Sequence, residues 1–161
     1  MVEVEPVRRS CEASIDIGAP ARAVWDVVAD VTRVGEWSGE CRGCVWMGAA
    51  AAPAAGVRFR GRNRRGGFRW SRVNEFVEVD EPRTLVWRTL RRFPYADTVE
   101  WRLALADGGA STRVTESFTV LRVPRVMELV LGLALPAHRD RSQDLADDLG
   151  RLRRVVESPS A

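Results

Sequence analysis

Few side chains in this chain can do chemistry, and their positions narrow what that chemistry is. Glu116 lies in a segment, Ser111–Leu121, that alternates through Val114, Glu116, Phe118 and Val120. That period of two puts the carboxyl on the apolar face of a strand. A carboxylate there must be paired, hydrogen-bonded or neutralised. It reads either as a polar anchor or general acid/base, or as half of a structural ion pair with an arginine such as Arg102 or Arg60. His138 is the only histidine, and thus the only side chain with an ordinary pKa near neutrality. It shares a helical face with Leu131 and Ser142, which would turn it towards the same interior. Catalysis by the pair would require both to reach one substrate atom within about 3 Å.

Cys41 and Cys44 form a single C-x-x-C, and Cys11 is the third cysteine. An odd count offers no disulfide framework. A structural zinc site needs four ligands, and neither a second pair nor a second histidine exists. Redox C-x-x-C motifs sit where a helix begins, whereas this one opens a strand-like run, Cys41–Met47. The spacing thus argues against a metal or redox role without deciding what the pair does, and phosphate-binding glycine motifs are absent, so no cofactor is expected.

Six tryptophans stand against one tyrosine. Trp37, Trp70, Trp87 and Trp101, with Phe59, Phe118 and Tyr95, fall on or beside inward positions of the elements below. Together they would form either a packed core or the walls of a cavity for a flat apolar ligand. The ligand-binding candidates are accordingly Trp37, Phe59, Trp70, Trp87, Tyr95, Trp101, Glu116, Phe118, Met127, Leu131 and His138.

The elements that must position these residues follow from periodicity. Ser10–Ile17 alternates as a half-buried strand. Gly18-Ala19-Pro20 ends it and leads into a helix over Ala21–Ala29, since proline suits a first helical turn. A shorter helical turn, Val31–Trp37, has Thr32 as its expected cap. Further strands read over Cys41–Met47, Gly56–Arg64, Phe68–Val79 (with a bulge near Val73–Phe76), Thr84–Arg91, Asp97–Leu105 and Ser111–Leu121. Arg65-Gly66-Gly67 and Asp107-Gly108-Gly109 mark hairpin turns. After Pro124 the spacing becomes helical: Met127, Leu131, Ala134, His138, Ser142, Leu145, Leu149, Leu152 and Val156 share a face. Pro136 predicts a kink, or a long helix starting there. The apolar run Val126–Leu135 could cap a cavity, meet a second subunit or touch a membrane, with Gly132 and Pro136 favouring a gate.

With 161 residues, 45% hydrophobic and 29% charged, the chain fits one globular domain. That domain spans 1–161, with a core over 10–157 and flexible ends at 1–9 and 158–161. No segment reads as a signal peptide, and Val126–Leu135 is shorter than a spanning helix. A cytoplasmic monomer or homodimer is expected, without stable membrane insertion. Every basic residue is arginine, and the net charge is only +3. Arg58, Arg60, Arg62 and Arg64, joined by Arg65, Arg69 and Arg72, form a basic strip read as the outer face of a hairpin, balanced by Glu75, Glu78 and Glu100. No aromatic side chains interleave with it, so nucleic acid is not an expected partner.

Four segments carry a resemblance. They are Ile15-Asp16-Ile17-Gly18-Ala19-Pro20 followed by Val24-Trp25-Asp26-Val27-Val28-Ala29-Asp30; Glu36-Trp37; Pro82-Arg83-Thr84-Leu85-Val86-Trp87; and Thr112-Arg113-Val114-Thr115-Glu116. In order and spacing, from Ser10 to Glu157, the chain resembles the START-like (SRPBCC) superfamily, in its polyketide cyclase/dehydrase and lipid-transport branch. The resemblance implies an α+β helix-grip fold: a curved antiparallel seven-stranded sheet wrapped around a long C-terminal α-helix, with two short helices after strand 1. It also implies a cavity between sheet and helix for a small hydrophobic, aromatic, polyketide- or lipid-like molecule. Binding or transport of such a ligand is preferred over an enzyme. The enzymatic alternative is a polyketide aromatase/cyclase in which Glu116, His138 or a bound water moves protons, and the third reading is a non-catalytic interaction module.

Overall fold

The computed structural model describes residues 10–91, 97–126 and 140–158. Seven strands run in chain order as β1 (Ser10–Ile17), β2 (Cys41–Trp46), β3 (Arg58–Arg65), β4 (Phe68–Asp80), β5 (Thr84–Thr89), β6 (Thr98–Asp107) and β7 (Thr112–Arg122). They form one antiparallel sheet in the order β1-β7-β6-β5-β4-β3-β2. Five of the six pairings join strands consecutive in sequence. The sixth brings β1, the first strand, beside β7, the last.

Helix α1 (Ala21–Val28), a 3-10 turn (Val31–Arg33) and helix α2 (Val34–Trp37) connect the two edge strands. The C-terminal helix, α3, spans Ser142–Glu157 and packs against β1, β7, α1 and α2. Its apolar stripe, Leu145, Leu149 and Leu152, is almost fully buried. The result is the helix-grip α+β architecture. Burial of that stripe is its main stabilisation, at roughly 1.5–3 kcal/mol per fully buried leucine. At the far end of α3, Glu157 Oε1 accepts a hydrogen bond from the Gly18 amide at 2.7 Å. Thr112 Oγ1 donates to the Ala19 carbonyl at 2.8 Å, tying β7 to the turn between β1 and α1.

Turn chemistry sets the registers. The β3–β4 hairpin closes on Gly66-Gly67, with Arg65 opposite Phe68, and Gly66 has φ +57°. That left-handed conformation suits a residue without a Cβ. In the β6–β7 turn, Asp107 Oδ1 accepts from the Gly109 amide at 2.8 Å while Gly109 holds φ +82°.

Several local expectations need correcting. The cap of the 3-10 turn is Asp30, whose Oδ1 accepts from the Thr32 amide at 3.0 Å. A carboxylate two positions earlier outcompetes the Thr32 hydroxyl, which itself donates to Asp30. The β4 irregularity falls between Phe76 and Glu78 rather than near Val73–Phe76. Inward phase is therefore kept through Asn74 and Phe76 and resumes at Val79, opposite Leu85. Helix α3 does not begin at Pro136, because Asp140 and Arg141 precede it in non-helical conformation. Asp140 Oδ1 accepts from the Ser142 amide at 2.9 Å, and Arg141 is drawn towards Glu40. Pro136 itself, and the gate expected around Gly132, lie outside the described residues.

Candidate functional site

Inner-face residues of the sheet divide into two territories. Ile17, Leu103, Leu105 and Val114 meet Val24 and Trp25 of α1 and Leu149 and Leu152 of α3 in a closed core, all at most 4% exposed. Towards the other end the sheet and helix part around a cavity of about 700 Å³. Trp37, Phe59, Trp70, Trp87, Trp101 and Phe118 line it, together with Glu116. These are seven of the residues picked out from sequence. The remaining four, Tyr95, Met127, Leu131 and His138, lie outside the described residues.

The rings form a connected wall. Trp87 and Trp101, directly opposite on β5 and β6, stack at 6.3 Å between centroids with 9° between planes. Phe118 meets Trp101 edge-on at 4.9 Å, and Phe59 meets Trp87 at 6.4 Å. Such geometries follow the ring quadrupole and add about 0.5–1.5 kcal/mol per pair beyond burial.

Glu116 projects from β7 between Val114 and Phe118, facing Leu103 of β6 and Ala13 of β1. It is 2% exposed. Neither Arg102 nor Arg60 pairs with it. Both belong to the opposite face of the sheet by strand alternation, and Arg102 engages Glu78 at 3.1 Å. Burial pushes the Glu116 carboxyl up to about 8, the nearby Asp148 carboxylate adds to the rise, and Arg141 opposes it. The group is therefore largely neutral at pH 7 and carries a proton it can donate. Its Oε2 makes no hydrogen bond among the described residues.

Arg141, at the entry to α3, is the site's main cation. Its Nη2 donates to Glu40 Oε2 at 2.6 Å. Its guanidinium carbon lies 5.3 Å from the Trp101 centroid and 5.1 Å from that of Phe118. Cation–π attraction and the ion pair thus fix the plane of the fork, while its Nε, like Glu116 Oε2, makes no hydrogen bond among the described residues. Asp148, in the second turn of α3, accepts from the Gly39 amide at 2.8 Å and from Arg151. Its own carboxyl is raised by burial, against the lowering effect of these donors.

Paired charges continue around the cavity. Arg65 meets Asp144 at 2.5 Å, and Arg72 meets Asp97 at 2.9 Å. Both arginines were assigned to the outer strip by sequence, and both face inward. Registers show why: Gly61 opposes Arg72 as Phe59 opposes Asn74, so all four share the inner face. Outside, Arg58 meets Glu75 and Arg88 meets Glu100, each at 2.7 Å, as charge balance on that face predicted.

Sequence reasoning missed Arg141, Glu40, Asp148 and Asn74. A signal existed for two of them: 141, 145, 148 and 152 follow the 3-4 spacing of a buried helical face. It also missed that Cys41 and Cys44 are both buried in the cavity wall. No group of three or more metal-ligating side chains occurs among the described residues. No helix there is long and apolar enough to cross a membrane.

Comparison with known proteins places the arrangement. A family model described as polyketide cyclase / dehydrase and lipid transport matches residues 8–157. Among solved structures, the fold is similar to protein MLL2253 of Mesorhizobium loti (13% identity, TM-score 0.68, covering 95% of this chain and 100% of that one). It is also similar to the Polyketide_cyc-like protein Cgl2372 of Corynebacterium glutamicum (25% identity, TM-score 0.58, covering 92% and 93%). The di-domain ARO/CYC BexL of the BE-7585A biosynthetic pathway is similar at 16% identity and TM-score 0.67, with 93% of this chain covering 48% of that one. No protein of curated function matches.

Proposed function

From the premise that this chain belongs to the polyketide cyclase/dehydrase and lipid transport family, we propose that it binds a small, flat, oxygen-bearing aromatic or polyketide-like molecule in the cavity between sheet and C-terminal helix. One observation carries this reading: a buried carboxyl group, Glu116, whose Oε2 has no hydrogen-bond partner among the described residues and which lies beside a wall of stacked rings, with burial raising its pKa. A lone buried polar group costs about 1–3 kcal/mol when it lacks a partner. A ligand carbonyl or phenol oxygen accepting its proton would recover that cost. The stacked Trp87 and Trp101 would meet the ligand's faces, and the Arg141 Nε would supply a second donor.

A second reading, a cyclase or dehydratase, draws on the same pair of groups. A carboxyl with a pKa near 8 can give and regain a proton near neutral pH, and Arg141 would stabilise charge developing on a substrate oxygen. The binding reading is preferred because it requires only the geometry present, whereas turnover needs both groups to meet one reacting atom.

Titration with 1,8-dihydroxyanthraquinone, followed by tryptophan fluorescence and calorimetry, tests the proposal. One-to-one binding with quenching, weakened by Trp101→Ala, is the expected result. Absence of heat and quenching up to the probe's solubility limit would remove it. Conversion of a poly-β-ketone analogue by the native protein, lost in Glu116→Gln, would instead select the enzymatic reading.

A further inference from the structure

Strand β2 contains a device that the strand's own periodicity hides. In a regular strand, residues three apart point to opposite faces. Cys41 and Cys44 nonetheless both point inward, with Arg42 exposed between them. A register shift between Cys41 and Gly43 is the cause: Cys41 pairs with Asn63, Gly43 with Arg62 and Cys44 with Gly61. The extra residue of this bulge returns the chain to its starting face. It brings the two sulfurs to 3.2 Å. Opposite them stands Gly61, where a Cβ would lie 3.5 Å from Cys44 Sγ and 3.7 Å from Cys41 Sγ. The lack of a side chain leaves both sulfurs room to move, and both cysteines line the cavity.

We propose that Cys41 and Cys44 are a redox modification site that closes to a reversible intramolecular disulfide by exchange with a low-molecular-weight disulfide entering through the cavity. A disulfide needs an S–S separation of about 2.05 Å, so the sulfurs must approach by roughly 1 Å. The bulge has already done the larger work of bringing them onto one face.

The roles within the pair are unequal. The two thiols share one hydrogen bond, in which either sulfur can be the donor. With Cys44 as the donor, that hydrogen bond and the backbone at Gly43 draw the Cys41 thiol below its ordinary value, while Cys44 is pushed up. In that arrangement Cys41 is the attacking thiolate and Cys44 the resolving thiol. In the first step the Cys41 sulfur attacks one sulfur of the small disulfide. A mixed disulfide forms, the old S–S bond breaks, and one small thiolate leaves and takes up the proton that Cys41 gave up. In the second step Cys44 loses its proton and attacks the Cys41 sulfur, releasing the second small molecule, which takes that proton as a thiol. The protein is oxidised by two electrons and the small disulfide is reduced to two thiols. The proposal rests on the wall of the cavity and holds whatever ligand the cavity binds.

The full chain, in graded mixtures of reduced and oxidised glutathione at neutral pH, tests this directly. Samples are acid-quenched, alkylated, and the peptide containing residues 41–44 is weighed. Expected is a monomer whose peptide goes from two alkylations to none with loss of two hydrogens, fully reversed by dithiothreitol. Cys44→Ser should stop at one glutathione on Cys41. Two alkylatable thiols persisting in the native protein at the most oxidising ratio would overturn the proposal. So would a stable mixed disulfide with both cysteines present, or oxidation that instead links Cys11. The wild-type measurement requires no variant to fold.

Discussion

The inner face of one sheet is used in two opposite ways. At the α1 end, Ile17, Val24, Leu103, Leu105, Val114, Leu149 and Leu152 interdigitate with little exposure and no ionisable group. At the cavity end, the same strands and the same helix carry Glu116, Arg141, Asp148, Arg65 and Arg72 among aromatic rings, around about 700 Å³ of space. Strands β6 and β7 pass through both territories: Leu105 and Val114 pack closed, while Trp101 and Phe118 line the opening. The difference teaches that close aliphatic packing and buried polar groups are separated along the strands rather than between elements. Close packing of aliphatic side chains holds the fold, and among the described residues the buried side-chain polar atoms without a partner all line the cavity.

Substitutions in the two territories should therefore have different signatures. The largest loss is expected for Arg141→Ala, which strips Glu40 of its buried partner and removes the cation opposing Glu116 protonation. Breaking a buried pair costs about 3–5 kcal/mol, read as a drop in the denaturant midpoint. Next, Leu149→Ala in the closed core should cost about 2–5 kcal/mol while leaving probe affinity unchanged in the folded protein. Altered affinity there would break the proposed separation.

Glu116→Gln sharpens the comparison through pH. The folded carboxyl has a pKa of about 8, above the ordinary value of 4.5. Between those values the folded state holds a proton the unfolded state has released. Stability must then fall as pH rises through this window and level off above 8. The glutamine variant should lack that part of the slope and be more stable than wild type at pH 9 by on the order of 2–4 kcal/mol. Asp148, also raised by burial, keeps its own smaller contribution in both proteins. Melting curves from pH 5 to 9 decide it, and parallel slopes for the two proteins would contradict the assignment.

Trp101→Ala should weaken probe binding about tenfold, equivalent to 1.4 kcal/mol, with a smaller loss of stability than Leu149→Ala. Smallest of all, Arg88→Ala on the outer face removes a half-exposed pair with Glu100 and should change stability by about 0.2–1 kcal/mol.

Much of the frame was legible from alternation and turn residues, because a sheet with one buried face writes its phase into the sequence. Val99, Trp101, Leu103 and Leu105 declared β6, and Gly66 and Gly109 declared their hairpins. Glu116 was legible as an inward carboxyl for the same reason. What was not legible depends on pairing across the fold. Arg72 and Arg65 look like surface charge until β3–β4 register puts them opposite Gly61 and Phe68. Cys41 and Cys44 look like opposite-face residues until the bulge is known. Arg141 sits just before α3 begins, where helical spacing alone does not say that a guanidinium will fold back over Trp101 and Phe118. The cavity itself is a property of how far α3 stands from the sheet, which no single segment encodes.

The proposed ligand binding turns on a neutral carboxyl at the end of an aromatic cavity. Site-resolved carbon NMR of the Glu116 side chain, titrated with and without saturating 1,8-dihydroxyanthraquinone, measures that directly. A midpoint of about 8 is expected in the free protein, moving higher when the probe accepts the carboxyl's proton in a hydrogen bond. A midpoint near the ordinary 4.5, or one indifferent to the bound probe, would contradict it.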